Sequence, residues 1–240
     1  MSGHDRDASD PSAFVGTVSG GTAIAPLFGP LCVTEEAAPR LVDDELFPEE
    51  RAHIARAVDK RRAEFGMARV CARRALARLG FAPMPLVPSE DRAPSWPAGV
   101  VGSITHTKGY CSVVVARLEH CRSLGLDAEQ DVPLSEALIA KICTPAEQAF
   151  LQDKAERDAI VYFAAKEAFY KCQYPLTKAY LDFQDVELEV DFERATFRGR
   201  VVKPTVPKPA WLDHLSGSFL RQRGLVLCGL SLMPAAAALE

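Results

Sequence analysis

The chain has 240 residues, of which 48% are hydrophobic and 25% are charged, and its formal net charge is −4. This length can bury a substantial core, in one large domain or two small halves, and the composition is ordinary for a globular protein. The acidic balance argues against binding of nucleic acid through overall charge, and no apolar run reaches the length of a membrane span.

The seven cysteines are scattered along the chain and form no Cys-x-x-Cys pair. Neither a zinc site nor a disulfide framework is therefore indicated, and small buried thiols are expected. The N-terminus is polar and lacks the apolar core of a signal peptide. These features predict a protein of the reducing cytoplasm.

In the first half of the chain, the pattern predicts a strand, a long helix and a strand pair. Residues 1–22 are rich in Ser, Gly and Asp and are predicted to be disordered. A strand is predicted over 24–33, and a helix over 48–79 that Pro48 opens and Gly80 ends. After a proline-rich loop over 83–97, strands over 100–104 and 110–118 are predicted to form a hairpin-like pair.

The long helix carries most of the positive charge. From Arg51 to Arg78 there are nine Lys and Arg residues against two acids. Arg61 lies on the line of the apolar stripe and Arg69 borders it, so both guanidinium groups are candidates for a cleft. The simpler interpretation is a solvated basic face whose aliphatic stems cover the core.

In the second half, a strand is predicted over 123–128. Helices are predicted over 134–142 and 145–154, and Thr144 and Glu147 form a capping box for the latter. A helix over 157–173 is expected to stop at Pro175. Further strands are predicted over 186–190, 195–202 and 224–232, and residues 234–240 form an alanine-rich tail.

Three acidic residues in two short segments are the strongest indication of chemistry. Strand alternation places Asp127 and Glu129 on one face, and helical spacing places Glu167 and Lys171 one turn apart on one side. If Glu167 faces the strand acids, three oxygen ligands converge on a site that suits Mg²⁺, with Lys171 beside it as a phosphate-facing cation. Taken separately, the two segments are also compatible with solvated acids and a surface ion pair.

The two segments together resemble the 4′-phosphopantetheinyl transferase family. Its pattern is a Gly-hydrophobic-Asp-x-Glu strand followed by a helix with Phe/Trp-x-x-Lys-Glu-Ala/Ser-x-x-Lys, here 125–129 and 163–171. A third block, 96–107, resembles the subgroup that serves siderophore, non-ribosomal peptide and polyketide assembly. The resemblance covers about residues 46–183 and resumes weakly at 223–227.

The resemblance implies an α+β fold of two similar halves related by pseudo-twofold symmetry, with the active site between them. A weak internal echo agrees with this, because Pro48 and Pro145 each open a helix rich in alanine and charge that is followed by strands. The expected division is an N-terminal half over 23–122 and a C-terminal half over 123–233 that carries the metal site.

The resemblance also implies the activity, which is transfer of 4′-phosphopantetheine from coenzyme A to a carrier-protein serine with release of 3′,5′-ADP. The expected protein is a monomer whose partners are coenzyme A and acyl or peptidyl carrier domains, not nucleic acid or membranes. By resemblance, Asp127, Glu129 and Glu167 hold Mg²⁺ or Mn²⁺, Glu167 is the candidate base, and Lys171 stabilises the pyrophosphate. The residues expected at coenzyme A are Arg61, Arg69, Ser103, Thr105, His106, Lys166 and Lys171.

One position departs from the subgroup, and two other function classes stay open. The loop before Trp96 normally carries a phosphate-binding Lys or Arg, and here only Arg92 is basic in 88–94. A non-catalytic coenzyme A or nucleotide-binding protein is one alternative, but it has no need of the acid cluster. A nucleic-acid-binding module is the other, but such modules normally add stacking aromatic residues, and the basic helix offers only Phe65.

Overall fold

A computed structural model describes residues 21–89, 94–205 and 209–234. The predictions for residues 1–20, for Arg92 and for 235–240 lie outside these ranges. The described helices are α1 (Pro48–His53), α2 (Asp59–Arg78), α3 (Glu136–Ile142), α4 (Pro145–Leu151) and α5 (Ala159–Thr177). The described strands are β1 (Val33–Ala37), β2 (Val100–Thr107), β3 (Tyr110–Arg117), β4 (Ser123–Gln130), β5 (Val186–Asp191), β6 (Thr196–Val201), β7 (Ser216–Gln222) and β8 (Leu225–Leu232).

Two antiparallel sheets, each packed against one long helix, make up the two halves of the molecule. The first sheet has the order β1-β3-β2 and packs against α2. The second has the order β4-β8-β7-β6-β5 and packs against α5. This arrangement confirms the predicted α+β fold of two halves. Among the described residues, no helix is both long enough and apolar enough to cross a membrane.

The core consists of three hydrophobic clusters, one of which spans both sheets. One cluster lies between α2 and β3, a second lies between α5 and the larger sheet, and a third joins β3 to β4 through residues such as Val114 and Leu126. All seven cysteines lie in the described ranges as free thiols, and six of them are buried. The expectation of buried thiols is confirmed for those six.

Gly125 lets α5 lie directly on β4. A Cβ atom at this position would stand 2.0 Å from the carbonyl oxygen of Ala168, far inside van der Waals contact. Any larger residue would push the helix away from the strand. The glycine therefore brings Glu167 and Lys171 of α5 to the strand that carries Asp127.

Several predicted elements are confirmed, and four differ from the structure. Thr144 and Glu147 form the expected capping box, β2 and β3 form the expected hairpin, and Gly80 ends α2 with φ at +86°. The strand predicted over 24–33 is wrong. Its prolines cannot donate to a sheet, and the segment instead makes a 3₁₀ turn at Ala25–Leu27 before β1.

The other differences concern helix limits and one missed strand. The helix predicted over 48–79 is divided into α1 and α2 by a turn in which Ala57 N–H donates to Ile54 O. Pro175 does not stop α5, which continues to Thr177 and ends at Lys178 in the left-handed region, with φ at 54°. The strand β7 was missed because its sequence, Ser-Gly-Ser-Phe-Leu-Arg-Gln, shows little apolar alternation.

Candidate active site

The edge strands of the two sheets, β2 and β4, are joined by side-chain hydroxyl groups. The Leu126 N–H donates to Ser103 Oγ at 3.1 Å, and the Ala128 N–H donates to Thr105 Oγ1 at 3.2 Å. Both hydroxyl residues are buried. Ser103 and Thr105 are the residues expected to add hydroxyl contacts to coenzyme A, and in the structure their hydroxyls accept from backbone donors of β4 and connect the two halves. Their role here is to fix the seam that carries the acidic residues.

Asp127 lies at the centre of this seam. Its Oδ1 accepts from Thr105 Oγ1 at 3.0 Å and from Lys171 Nζ at 2.6 Å, and Lys171 also donates to the Leu126 carbonyl at 3.2 Å. The second carboxylate oxygen, Oδ2, is buried and has no hydrogen-bond partner among the described residues. A buried unpartnered carboxylate oxygen is costly unless a ligand satisfies it.

Two further carboxylates share the electrostatic field of Asp127. Burial raises the pKa of Glu129 to about 7, repulsion from Asp127 and Glu167 adds to the increase, and Lys171 opposes it. Burial also raises the pKa of Glu167 above its ordinary value, again with repulsion from Asp127 and attraction to Lys171. The charges of Asp127 and Lys171 therefore act on both Glu129 and Glu167.

The three acids are not positioned as a complete set of metal ligands. Among the described residues, no three His, Cys, Asp or Glu side chains are placed so that they could together hold a metal ion. The donor chemistry nevertheless fits a hard divalent cation, since the donors are carboxylates and one buried oxygen lacks a partner. A cation would also offset the mutual repulsion that raises the pKa of Glu129.

The predicted phosphate-binding residues Arg61 and His106 are in contact. Arg61 Nη1 lies 3.0 Å from His106 Nε2, which joins α2 to the end of β2. Burial lowers the pKa of His106, Arg61 and Lys171 lower it further, and Glu64 and Asp127 raise it. His106 directly follows Thr105, which contacts Asp127, so the imidazole and the acid cluster lie at the same junction between the two halves, here called the cleft.

Arg69 is held more deeply than Arg61. Its Nε donates to the Leu86 carbonyl at 2.6 Å, and its guanidinium carbon lies 4.0 Å from the centre of the Phe65 ring. Burial lowers its pKa to about 10. These contacts make Arg69 part of the packing between α2 and the loop that follows it.

Lys166 is not brought to the phosphate-binding residues. Its side chain is 2% exposed, and its ammonium donates to Glu147 Oε2 at 2.7 Å and to the carbonyls of Ile142 and Phe183 at 2.8 Å. All three ammonium hydrogens are therefore used inside the C-terminal half. The expectation that Lys166 binds coenzyme A is not supported by this placement, because it pins α5 to α3 and α4.

One cavity adjoins Glu167 and another adjoins Lys171. One, of about 180 Å³, is lined by Glu167, Tyr170, Tyr180, Leu181 and Phe183, together with Lys166. The other, of about 620 Å³, lies between the halves and is lined by Trp96, Gly102, Ile104, Lys171 and Tyr174, among others. Tyr170 lines both cavities, so its side chain contributes to the wall of each.

Known protein families match both halves of the chain. The 4′-phosphopantetheinyl transferase N-terminal domain matches residues 49–116, and the 4′-phosphopantetheinyl transferase superfamily matches residues 123–218. The chain belongs to the 4′-phosphopantetheinyl transferase family. The match to the superfamily includes Asp127, Glu129, Glu167 and Lys171, the residues that carried the sequence resemblance.

Individual relatives span most of the transferase. It is 43% identical over 226 residues to the 4′-phosphopantetheinyl transferase Svp of Streptomyces mobaraensis, covering 90% of this chain and 92% of Svp. It is 40% identical over 194 residues to PptT of Mycobacterium tuberculosis, covering 77% of this chain and 85% of PptT. It is 34% identical over 139 residues to enterobactin synthase component D of Escherichia coli, covering 55% of this chain and 65% of that protein.

These matches establish the activity of the chain as a transferase of the secondary-metabolism and siderophore type. It moves the 4′-phosphopantetheine group of coenzyme A to a serine of a carrier protein and releases 3′,5′-ADP. The predicted family and reaction are confirmed, and the alternative of a non-catalytic binding protein is not supported.

The sequence prediction missed several residues of the transferase cleft. Tyr180 and Leu181 line the smaller cavity but follow the matched helix in a segment without regular pattern. Glu64 lies 3.6 Å from His106 Nδ1. Its spacing from Arg61, three residues along a helix, was a usable signal because such residues share a face.

Proposed function

We propose that Asp127, Glu129 and Glu167 hold one Mg²⁺ ion, or Mn²⁺ in its place, during transfer. The observation that supports this is the buried, unpartnered Oδ2 of Asp127 in the shared field of two further carboxylates. When bound, such a cation neutralises pyrophosphate oxygens and the charge that develops on the leaving 3′,5′-ADP. Substrate oxygens and water would complete its coordination, which is the usual arrangement for Mg²⁺.

The other charges of the cleft then have separate roles. Lys171, which lies beside Asp127, would donate to the pyrophosphate. Glu167 would accept the proton of the carrier serine, directly or through water, since a raised pKa suits a base that works near neutral pH. Arg61 and His106, in contact at 3.0 Å, would bind a phosphate of coenzyme A. Arg69 would stabilise the same part of α2 through its hydrogen bond to the Leu86 carbonyl.

The test is mass spectrometry of an apo carrier protein incubated with coenzyme A and the purified transferase. Modification with Mg²⁺, its loss with EDTA, and its loss in Asp127→Asn and Glu167→Gln are the expected results. Glu119→Gln is the matched control, because it removes a carboxylate that is 70% exposed in the turn before β4. Full activity of Asp127→Asn in EDTA would contradict the metal assignment.

We also propose carrier domains of siderophore, non-ribosomal peptide or polyketide synthesis as the partners. The support is the 96–107 block and the similarity to enterobactin synthase component D. Comparison of kcat/KM across carriers from these pathways and from fatty acid synthesis tests the proposal. A preference for the fatty acid carrier would contradict it.

We further propose a monomeric cytoplasmic enzyme with its halves divided at 122/123, in the turn between β3 and β4. The free thiols support a reducing compartment. One chain supplies both sides of the cleft, since Thr105 of the first half contacts Asp127 of the second. Light scattering during gel filtration tests the oligomeric state, and a dimer at assay concentration would contradict it.

A further inference from the structure

Glu64 lies behind His106 on the side opposite Arg61. Its Oε2 is 3.6 Å from His106 Nδ1, whereas Arg61 Nη1 is 3.0 Å from Nε2. Arg61 and Glu64 are one turn apart on α2, and the Glu64 side chain is only 13% exposed. Both ring nitrogens of one histidine are therefore engaged from a single helix, one by a cation and one by a carboxylate.

The chemistry of these groups determines where the imidazole carries its proton. A guanidinium only donates hydrogen bonds, so Nε2 must present its lone pair to Arg61. The proton of the neutral ring then lies on Nδ1, toward Glu64. The 3.6 Å separation is an ion-pair distance and is longer than a normal hydrogen bond, so Glu64 acts here mainly through its charge.

A bound phosphate requires a different state of the same ring. Arg61 and His106 can both contact one phosphate only if Nε2 donates. The neutral ring with its proton on Nε2 would point the Nδ1 lone pair at the Glu64 carboxylate, so the state that fits is the imidazolium with a proton on each nitrogen. Burial, Arg61 and Lys171 oppose that charge, and Glu64 and Asp127 favour it. Of these groups, Glu64 is the carboxylate that lies beside Nδ1.

We propose that Glu64 is a positioning residue that keeps a proton on Nδ1 of His106, so that Nε2 is presented to the phosphate together with Arg61. The inference rests on the proposed phosphate role of Arg61 and His106 and adds the residue that makes His106 competent for it. Lys60 is the other basic side chain near Glu64, at 3.9 Å, but it is 78% exposed and competes weakly for the carboxylate.

Binding of two nucleotides by calorimetry tests the proposal. The variant is Glu64→Gln, which keeps the side-chain shape, and the control is Asp59→Asn, which removes one acid from the same helix at a side chain that is 79% exposed. We expect Glu64→Gln to weaken 3′,5′-ADP binding about tenfold, the loss of one charge-assisted contact. We expect 5′-AMP, which lacks the 3′-phosphate, and the Asp59→Asn control to show little change.

The possible outcomes are distinct. Equal weakening of 5′-AMP would assign the contacted phosphate to the 5′ position and still support the role of Glu64. Unchanged or tighter binding of both nucleotides by Glu64→Gln would overturn the inference, because removal of a mere repulsive charge would strengthen anion binding. If Arg61→Ala also bound 3′,5′-ADP normally, the proposed phosphate site itself would be wrong.

Nitrogen NMR of His106 gives a readout that a merely structural role would not change. The wild-type protein without nucleotide should show protonated Nδ1 and unprotonated Nε2 near neutral pH. With 3′,5′-ADP, both nitrogens should become protonated, and Glu64→Gln should retain less of the doubly protonated ring at the same pH. Observation of the Nε2-protonated tautomer in the free wild-type protein would overturn the assignment without any variant.

Discussion

The ammonium of Lys171 lies 2.6 Å from Oδ1 of Asp127, and the same oxygen accepts the hydroxyl of Thr105 at 3.0 Å. A helix of the C-terminal half, its edge strand and the edge strand of the N-terminal half therefore meet at one carboxylate. Because only Oδ1 is engaged, Oδ2 stays unpartnered among the described residues at the same position. Asp127 therefore has one oxygen engaged by Lys171 and Thr105 and one buried oxygen that is left for another partner.

Asp127→Asn and Lys171→Met are each expected to reduce kcat by about a hundredfold or more, as loss of a preorganised charge at a phosphoryl-transfer site does. Asp127→Asn should remain folded, because it leaves no buried charge and the lysine is partly solvated, whereas Lys171→Met leaves the nearly buried Asp127 carboxylate without its cation and should lower the unfolding free energy. Steady-state kinetics at saturating coenzyme A, with circular dichroism of each variant, provide the check. Lys141→Ala, an exposed lysine of α3, is the control.

Mg²⁺ is expected to raise the melting temperature of the wild-type protein in the absence of substrate. Binding to the folded state alone stabilises it, by about 2.7 kcal/mol at a concentration one hundred times Kd. Asp127→Asn should lose most of this increase, since it lacks the carboxylate whose Oδ2 is unpartnered. An identical melting shift in both proteins would place Mg²⁺ elsewhere on the molecule.

Stability should fall as pH rises from about 4.5 to about 7, the window set by Glu129. Its pKa is about 7 in the folded chain against an ordinary 4.5, so the folded state binds more protons than the unfolded state in this window. Glu129→Gln should remove part of this decrease and raise the unfolding free energy at pH 8 by about 1 kcal/mol, allowing for partial solvation. Glu167, whose pKa is also raised, leaves some of the slope in place.

Chemical denaturation of wild type and Glu129→Gln between pH 4.5 and 8 measures this effect. The two curves should approach each other toward pH 4.5, where the carboxyl is protonated in the folded state and about half protonated in the unfolded state. A variant that is less stable than wild type at pH 8 would show that Glu129 makes a favourable contact as a carboxylate.

Lys166→Met is expected to destabilise the fold by about 3 kcal/mol, because it leaves the buried Glu147 without its cation. The KM for coenzyme A of the protein that remains folded should be close to that of wild type. Denaturation and steady-state kinetics at low temperature separate the two effects. A raised KM with normal stability would restore the coenzyme A role expected for this residue.

Arg61→Ala and Arg69→Ala should fail in different ways. Arg61 is exposed and contacts His106, so its loss should raise the KM for coenzyme A about tenfold with little change in stability. Arg69 is buried against Phe65 and Leu86, so its loss should lower the unfolding free energy by about 2 kcal/mol. Measurement of KM and of unfolding for each variant checks this, and equal effects of both substitutions on KM alone would contradict it.

Local spacing was sufficient to predict the central acids. Strand alternation puts Asp127 and Glu129 on one face, and one helical turn joins Glu167 to Lys171, so short-range geometry alone places these groups in pairs. The capping box of Thr144 and Glu147 was likewise predictable, since it closes within four residues. The fold class followed from the family resemblance that these same segments carry.

The tertiary structure decided the roles that depend on contacts far apart in the chain. Lys166 precedes Glu167, yet the 100° step of a helix turns its side chain into the core. There its ammonium contacts Glu147, 19 residues away in the chain, and the Ile142 carbonyl, 24 residues away. Ser103 and Thr105 lie next to His106 in sequence, but their hydroxyls contact β4 because the edges of the two sheets lie together and the β4 edge has backbone N–H groups that its own sheet does not pair. Residue type and spacing thus determined which groups carry charge on a shared face. Only the packing of α2, α5 and the two sheets determined which of those charges face one cleft, because burial and partner distance are properties of the assembled halves.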